Sequence, residues 1–182
     1  MNAVRWIALF SKSGAELNTV SERLGRYPDL IVTNRNTLDG VDKTLARKGV
    51  FRAMPRAPDV RDYMDAFGAA PTGTQLITMH GFMRIVPARI CDRHTIWNMH
   101  PGWVTRYPQL KGRDPQQRAL ELGLPSTGVT LHRATAELDG GPIVMERACR
   151  IAPGTTLDAL CAALTAMSVD LWVEFISSQL NG

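Results

Sequence analysis

Hydrophobic and polar positions along the chain follow the periods of buried strands and amphipathic helices. Residues 4–10 form a mostly apolar run before a polar, glycine-containing turn, which is typical of a strand buried on both faces. Over residues 15–24 the apolar positions recur at helical spacing until Gly25, and residues 29–34 form a second apolar strand. Strand, helix and strand in this order predict a right-handed crossover in a parallel α/β sheet.

The pattern continues to the end of the chain. Further elements are predicted in this order: a helix and a strand within 40–54, a helix at 59–70, a strand at 75–79, a strand at 94–100 and a helix at 113–123. After residue 127 two strand-like runs, 127–135 and 141–151, are joined by a loop or hairpin connection. The final helix is predicted over 155–179, with a Thr155-x-x-Asp158 capping signal and an apolar stripe of Leu157, Leu160, Leu164, Leu171 and Phe175. We find no repeat or linker and predict one domain over residues 1–182.

Composition narrows the class of protein. The 182 residues are 45% hydrophobic and 21% charged, which disfavours disordered and fibrous classes. The net charge of +4 suits small anionic ligands or an ordinary basic surface, and the scattered Lys and Arg are weak evidence for nucleic acid. The odd set of Cys91, Cys149 and Cys161 indicates a reducing compartment. The pattern predicts no apolar segment near the ~20 residues of a membrane span, and we expect a cytoplasmic protein without nucleic-acid or membrane partners.

The strand predicted at 94–100 ends in the polar triplet Asn98, Met99 and His100, before Pro101 and Gly102. Ligands of open parallel sheets bind outside the carboxyl ends of the strands, and the alternation of a strand places Asn98 and His100 on one side. An amide and an imidazole directed at one point stabilise an oxyanion. The alternative is an Asn turn cap beside a structural histidine.

Asp139 precedes two glycines, which allow a sharp loop and close approach of the backbone to a ligand. A carboxylate near His100 would favour the imidazolium and hold its orientation. On its own, the segment is better explained as an Asp-Gly turn. Together, Asn98, His100 and Asp139 form an acyl-transfer constellation without a nucleophilic side chain, so the attacking group would come from the substrate.

Four motifs in order carry a resemblance: "GFMRIV" at 81–86, "NMHPG" through "YPQLKG" at 98–112, "TGVTLH" at 127–132 and "AELDGGPIV" at 136–144. They resemble the signatures of folate-dependent formyltransferases, most of all the glycinamide ribonucleotide transformylases, over nearly the whole chain. The resemblance implies a Rossmann-like, mostly parallel sheet with flanking helices and with antiparallel strands near the C-terminal part.

The resemblance also implies a transferase of one-carbon metabolism, of the kind used in purine biosynthesis, with 10-formyltetrahydrofolate as donor and a primary amine as acceptor. Asn98, His100 and Asp139 match the catalytic residues of the family. By this analogy Asn98 and protonated His100 stabilise the oxyanion, while Asp139 keeps His100 charged and relays protons. His132 matches a family position that we take as supporting structure.

The resemblance assigns two segments to the folate pocket. The strip that holds the pterin-like ring, largely through backbone groups, is matched by Met83, Arg84, Ile85 and Val86. The loop that closes the pocket is matched by Ala136, Glu137 and Leu138, which precede Asp139. The alternative for the first segment is a core strand end with a solvated Arg84.

The acceptor side departs from the family's pattern. The residues that match it are Lys12, Ser13, Gly14, Ala15, Glu16 and Trp103. The family grips a phosphate with a Gly-Ser-Asn-type loop, and here Glu16 would oppose the phosphate unless Lys12 compensates. Trp103 adds bulk where the family has a small residue, although it also fits a packed aromatic, and Ser168 stands where the family has a substrate-contacting Glu. The acceptor is therefore glycinamide ribonucleotide or another amine, such as an amino sugar, an amino acid or a modified nucleotide.

Two other functions use the same residues. A 10-formyltetrahydrofolate hydrolase needs only a water in place of the amine, and a non-catalytic folate-binding module needs only the pocket. A metal site on His100, His132 and Asp139 is disfavoured because the sequence has no H-E-x-x-H motif or Cys/His cluster. We expect no metal, and the sequence leaves the oligomeric state open.

Overall fold

The computed structural model describes residues 4–69 and 74–181. The strands are β1 (Arg5–Phe10), β2 (Leu30–Thr33), β3 (Phe51–Ala53), β4 (Gln75–Met79), β5 (Ile96–His100), β6 (Ser126–Arg133) and β7 (Ile143–Arg150). The helices are α1 (Ala15–Leu24), α2 (Lys43–Lys48), α3 (Val60–Phe67), α4 (Ala88–Arg93), α5 (Pro115–Glu121) and α6 (Leu157–Asn181), with a 3-10 helix at Pro108–Leu110.

The seven strands form one sheet in the order β3-β2-β1-β4-β5-β6-β7. Strands β1 to β5 are parallel, and β6 and β7 run antiparallel to their neighbours. The predicted fold class, mostly parallel with antiparallel strands near the C-terminal part, is confirmed. The chain leaves β1 toward β2 on one side and leaves β4 toward β5 on the other, so a crevice for ligands is expected at the carboxyl ends of β1 and β4.

Two buried clusters lie on opposite faces of the sheet, because successive side chains of each strand point to opposite sides. On one face, here called the α6 face, strand residues such as Trp6 pack with Leu17 of α1 and Trp172 of α6. On the other, here called the α3 face, strand residues such as Ile7 pack with Tyr63 of α3. A ligand bound at the carboxyl ends of the strands would therefore lie between the edges of two separate hydrophobic clusters.

Helix α6 forms as predicted, with differences at its start. Leu160, Leu164, Leu171 and Phe175 are buried, whereas Leu157 is 37% exposed and lies off the stripe. The predicted Thr155 cap is wrong by one residue. The hydroxyl of Thr156 accepts from the Ala159 N–H, and that of Thr155 donates to the Ala152 carbonyl.

The expectation about membrane-spanning segments was also wrong for α6, because Leu157–Leu180 is long and apolar enough to cross a bilayer by length and composition. About 44% of the 18-residue window that meets this criterion is buried inside the protein, and the exposed side of the helix carries Asp170 and Glu174, which pair with Arg23 and Arg147. In this structure the apolar residues of α6 pack in the core of the domain.

Two elements were not predicted, namely α4 and the 3-10 helix. Each is short, and α4 buries only Ile90 and Cys91, so no helical period is visible in the sequence. The helix predicted at 59–70 ends at Phe67, and the last residue of that prediction, Ala70, lies outside the described residues.

Candidate active site

Asn98 and His100 lie at the carboxyl end of β5, on the α3 face with Ile96. The antiparallel register with β6 places Asn98 opposite His132 and His100 opposite Thr130. Because opposed residues of an antiparallel pair share a face, His132 stands beside Asn98. The end of β5 therefore presents one amide and two imidazoles together.

Asp139, in the connection between β6 and β7, completes the cluster. Its Oδ2 lies 3.2 Å from Nδ1 of His100 and accepts from the Gly112 N–H at 2.8 Å. Its Oδ1 lies 3.5 Å from Nδ2 of Asn98 and 3.5 Å from Nε2 of His132. The backbone of Asp139 is left-handed, at φ 48°, a region that Asp tolerates better than most residues. The three residues predicted as catalytic thus meet, and His132 joins them.

Both ring nitrogens of His100 face protein oxygen atoms. Nε2 is 2.8 Å from the Leu110 carbonyl, which only accepts, so Nε2 carries a hydrogen and Nδ1 is the nitrogen directed at Asp139. A Cβ at Gly102 would lie 2.8 Å from Nε2, so the residue that follows Pro101 has to be glycine for the ring to keep this position.

Electrostatics differ from the expectation of a charged His100. Burial has the largest effect on the pKa of His100 and lowers it, Asp139 and the Leu110 carbonyl raise it, and His132 and Arg118 lower it, so that the pKa lies below its ordinary value. Burial would raise the pKa of Asp139, but the neighbouring His132 and His100 rings and the hydrogen bond from the Gly112 N–H hold it below its usual value. In the free protein a neutral imidazole beside a carboxylate is favoured at neutral pH, because burial disfavours the charged ring.

The segment predicted to hold the pterin-like ring follows β4. The side chains of Met83 and Ile85 are exposed, at 46% and 69%, whereas Val86 is buried in the α3-face cluster and offers only its backbone to a ligand. The N–H of Met83 donates to the Ser11 hydroxyl at 2.8 Å, and Nε of Arg84 donates to the Arg56 carbonyl at 2.5 Å. The strip is therefore held in place by the loops after β1 and β3.

The loop predicted to close the pocket exposes Ala136, Glu137 and Leu138. Glu137 pairs with Lys111 at 2.7 Å, which ties this loop to the segment before α5. Ala134, just before the loop, belongs to the same buried cluster as Phe82 and Val86. The strip after β4 and the loop after β6 are therefore both anchored in the buried cluster of the α3 face.

A cavity of about 400 Å³ lies at the carboxyl ends of the first four strands, and its walls include Ser11, Met83 and the cations Lys12, Arg35, Arg56 and Arg84. None of Asn98, His100, His132 and Asp139 lines it. Arg35 and Arg56 were not predicted as site residues, although both follow a strand closely. Four cations around one cavity favour an anionic ligand.

The segment predicted to bind the acceptor divides between two places. Ser13, Gly14 and Ala15 lead into α1, while Lys12 lines the cationic cavity. The carboxylate of Glu16 instead accepts from the Ser168 hydroxyl at 2.5 Å and lies 3.5 Å from Nδ1 of His80. Lys12 and Glu16 thus lie in different parts of the structure, and Lys12 does not compensate the charge of Glu16. Ser168 was expected only to remove a substrate contact, but it is the hydrogen-bond partner of Glu16.

Comparison with known proteins decides the family. A model of the family described as formyl transferase matches residues 7–176. The chain belongs to the formyl transferase family.

Within the formyl transferases, the chain is 30% identical over 149 residues to the methionyl-tRNA formyltransferase of Thermotoga neapolitana, covering 81% of this chain and 47% of that protein. It is also 30% identical over 109 residues to the phosphoribosylglycinamide formyltransferase of Escherichia coli, covering 59% of this chain and 50% of that protein. The chain thus spans about half the length of these curated relatives.

Solved formyl transferase structures share the fold. The phosphoribosylglycinamide formyltransferase of Anaplasma phagocytophilum has a TM-score of 0.79 at 23% identity, over 94% of this chain and 83% of that one. Glycinamide ribonucleotide transformylase 1 of Geobacillus kaustophilus has a TM-score of 0.79 at 21% identity, over 98% and 100% of the two chains.

Two further predictions for this formyl transferase concern Trp103 and metals. Trp103 is half-buried and packs edge-on against Tyr107, with the ring centres 6.3 Å apart, which supports its reading as a packed aromatic. Within residues 4–69 and 74–181, no group of three or more His, Cys, Asp or Glu side chains is arranged to hold a metal ion.

Proposed function

We propose that this protein transfers a formyl group from 10-formyltetrahydrofolate to the primary amine of a small acceptor. The observation that carries the proposal is the convergence of Nδ2 of Asn98 and Nδ1 of His100 on the two carboxylate oxygens of Asp139, at 3.5 and 3.2 Å. Two nitrogens aimed at one point at the end of β5 suit a carbonyl oxygen that gains negative charge.

In the proposed reaction the amine nitrogen bonds to the formyl carbon, and the formyl oxygen takes the negative charge. The bond from the formyl carbon to N10 of the folate then breaks, N10 gains a proton and the former amine loses one. Asn98 donates to the oxygen through Nδ2, and His100 does so through Nδ1 when that atom is protonated. Asp139, ionised beside His100, supports the protonated ring and accepts the proton that leaves the amine.

The donor fits two neighbouring surfaces. The exposed side chains of Met83, Ile85 and Leu138 offer apolar contact to a flat ring system. The cavity lined by Lys12, Arg35, Arg56 and Arg84 offers positive charge to the carboxylates at the glutamate end of a folate. Met83 belongs to both surfaces, and Arg84 of the cavity directly follows it in the chain, so one extended ligand would cross from the first surface to the second.

The acceptor we propose carries no phosphate at the start of α1. Backbone N–H groups of a helix N-terminus suit a phosphate, but the carboxylate of Glu16 is fixed there by Ser168 and faces His80. The side chain of His80 is wholly buried and packs at a tilt against Trp172, with ring centres 4.5 Å apart, so Glu16 is backed by buried aromatic rings. The side chain of Glu16 is 24% exposed and suits a hydroxyl or ammonium group of an amino sugar, an amino acid or a modified nucleotide.

A small acceptor is favoured over a transfer RNA because Lys and Arg are scattered over the sequence, with no run of five or more. We also propose a cytoplasmic location, which is supported by the free thiols of Cys91, Cys149 and Cys161.

The first test is calorimetric titration with a stable 10-formyl folate analogue, followed by a screen of amines with 10-formyltetrahydrofolate. One-to-one binding and amine-dependent loss of the formyl group support the proposal, and Asp139→Asn should lower the rate by about 10²- to 10⁴-fold. Asparagine also tolerates the left-handed backbone at this position, so the variant should fold. A folded Asp139→Asn protein is therefore the control for the loss of rate. Formate release without an amine would indicate the hydrolase, and binding without any turnover would indicate a folate-binding module.

The role of Glu16 is tested with Glu16→Gln and glycinamide ribonucleotide. Removing the carboxylate should tighten binding of this phosphorylated amine by at least about fivefold, equivalent to ~1 kcal/mol of repulsion. Glu22→Gln, an exposed position on the same helix, is the control for net charge. Equal affinities for wild type and Glu16→Gln would show that Glu16 does not exclude a phosphate.

A further inference from the structure

A three-residue segment before α5 holds both members of the His100–Asp139 pair. The Leu110 carbonyl accepts from Nε2 of His100 at 2.8 Å, and the Gly112 N–H donates to Oδ2 of Asp139 at 2.8 Å. Since Leu110 and Gly112 are two residues apart, a shift of this segment would move both contacts at once.

Arg118 on α5 binds the same segment. Its Nη2 donates to the Leu110 carbonyl at 3.1 Å and to the Lys111 carbonyl at 2.7 Å. Hydrogen bonds from a charged guanidinium are stronger than those between neutral groups. The Leu110 carbonyl therefore receives hydrogens from both Arg118 and His100, as a carbonyl oxygen with two lone pairs can.

Helix α5 can support this contact because its start is fixed. Asp114 has a left-handed backbone at φ 50°, which turns the chain sharply, and Pro115 then occupies the first helical position. Pro115 and Ala119 are buried, so the helix is anchored on the side next to Arg118. The guanidinium thus reaches the segment from a packed element.

We propose that Arg118 is a positioning residue, whose guanidinium holds the Leu110 and Lys111 carbonyls so that Leu110 and Gly112 keep His100 and Asp139 in contact. The inference rests on the catalytic roles given to His100 and Asp139 under the proposed function. Arg118 itself touches neither member of the pair through a hydrogen bond in the described structure.

A purely electrostatic role for Arg118 has the opposite signature. The charged or titratable groups that face His100 are Asp139, which raises its pKa, and His132 and Arg118, which lower it. The hydrogen bond to the Leu110 carbonyl raises the pKa of His100 by more than the charge of Arg118 lowers it. Loss of the Arg118 charge alone would raise the pKa, whereas release of the segment would lower it.

The experiment is an NMR titration of the His100 ring in wild type, Arg118→Met, Arg118→Lys and Arg150→Met. His100→Asn identifies the signal among the four histidines of the chain. Positioning predicts a lower His100 pKa in Arg118→Met and a value close to wild type in Arg118→Lys, which keeps a donor of the same charge. Arg150→Met, at an exposed arginine of β7, controls for net charge and should change nothing. A rise or no change in Arg118→Met would overturn the proposal.

Kinetics give the second readout once an acceptor is known. Arg118→Met should lower kcat by about 10²-fold, the scale expected for a small misplacement of catalytic groups, while KM for the folate donor changes less than about twofold. Should Arg118→Met fail to fold, Arg118→Gln takes its place in both measurements. The titration needs neither acceptor nor turnover. An absence of turnover in wild type would therefore count against the proposed function, and an unshifted His100 pKa against the role of Arg118.

Discussion

The side-chain nitrogen of Asn98 lies 3.1 Å from Nε2 of His132, and the two residues stand directly opposite each other on β5 and β6. Nδ1 of His132 is 3.1 Å from the Arg133 carbonyl, which only accepts, so Nδ1 carries a hydrogen. In this tautomer Nε2 is an acceptor and receives a hydrogen from Asn98. His132 thereby decides that the nitrogen of the amide, and not its oxygen, lies beside Asp139.

Replacing His132 should therefore impair the reaction without closing the donor site. We expect His132→Ala to lower kcat by about tenfold, the equivalent of one neutral hydrogen bond, with KM for the donor nearly unchanged. His132→Gln, which offers an amide oxygen to Asn98, should retain more activity. Steady-state kinetics on the folded variants check this, and a wild-type kcat in His132→Ala would show that Asn98 is oriented by other contacts.

Gly102→Ala probes the fit of the His100 ring. The added Cβ would lie 2.8 Å from Nε2 of His100 and 3.2 Å from Cβ of Leu110, so the ring has to move. We expect lower turnover and a loss of about 1–3 kcal/mol in the free energy of unfolding, as for other overpacked sites.

The control is Gly123→Ala. No heavy atom lies within 4 Å of a Cβ placed there, but φ is +60°, so the variant should lose about 1–2 kcal/mol of stability through backbone strain and keep its activity. Urea denaturation and initial rates measure both effects. If Gly102→Ala loses stability but keeps full activity, the position of the ring does not limit the reaction.

Stability should fall as the solution is acidified below about pH 6.5. Burial lowers the pKa of both His94 and His100 from the ordinary value of 6.5, so the unfolded chain takes up these protons at higher pH than the folded protein. Each histidine contributes a slope of at most ~1.4 kcal/mol per pH unit.

Urea unfolding between pH 7.5 and 5.5 checks the sign, and His94→Asn and His100→Asn should each reduce the slope. The lowered pKa of Asp139 acts in a separate window, because the stability it adds is lost only as the pH falls below its usual value of 3.8. A free energy of unfolding that stays constant down to pH 5.5 would contradict the lowered histidine values.

The sequence predicted elements well where burial imposes a period. Strands such as β1 and β4 are apolar runs, and α6 has a stripe long enough to recognise. Helix α4 and the 3-10 helix were missed because six and three residues are too few to show a period. The cap of α6 moved from Thr155 to Thr156 because two adjacent threonines offer the same hydroxyl.

In the candidate site, motif residues were predictable and their support was not. Asn98, His100 and Asp139 lie in recognisable motifs, and the structure brings them together. The lowered pKa of His100 depends on how deeply the fold buries the ring, and the contact of Arg118 depends on the turn at Asp114. The link between Glu16 and Ser168 joins positions 152 residues apart, which no local pattern announces.

The two faces of the sheet bear on how the ligands come and go. Met83 and Ile85 lie beside Phe82 and Val86, which are buried on the α3 face. Glu16 instead lies beside His80, which packs against Trp172 on the α6 face. If donor and acceptor occupy the regions proposed for them, each has its own approach and they meet only above the strand ends. We then expect no fixed order of binding or release, because neither ligand would have to pass through the region proposed for the other.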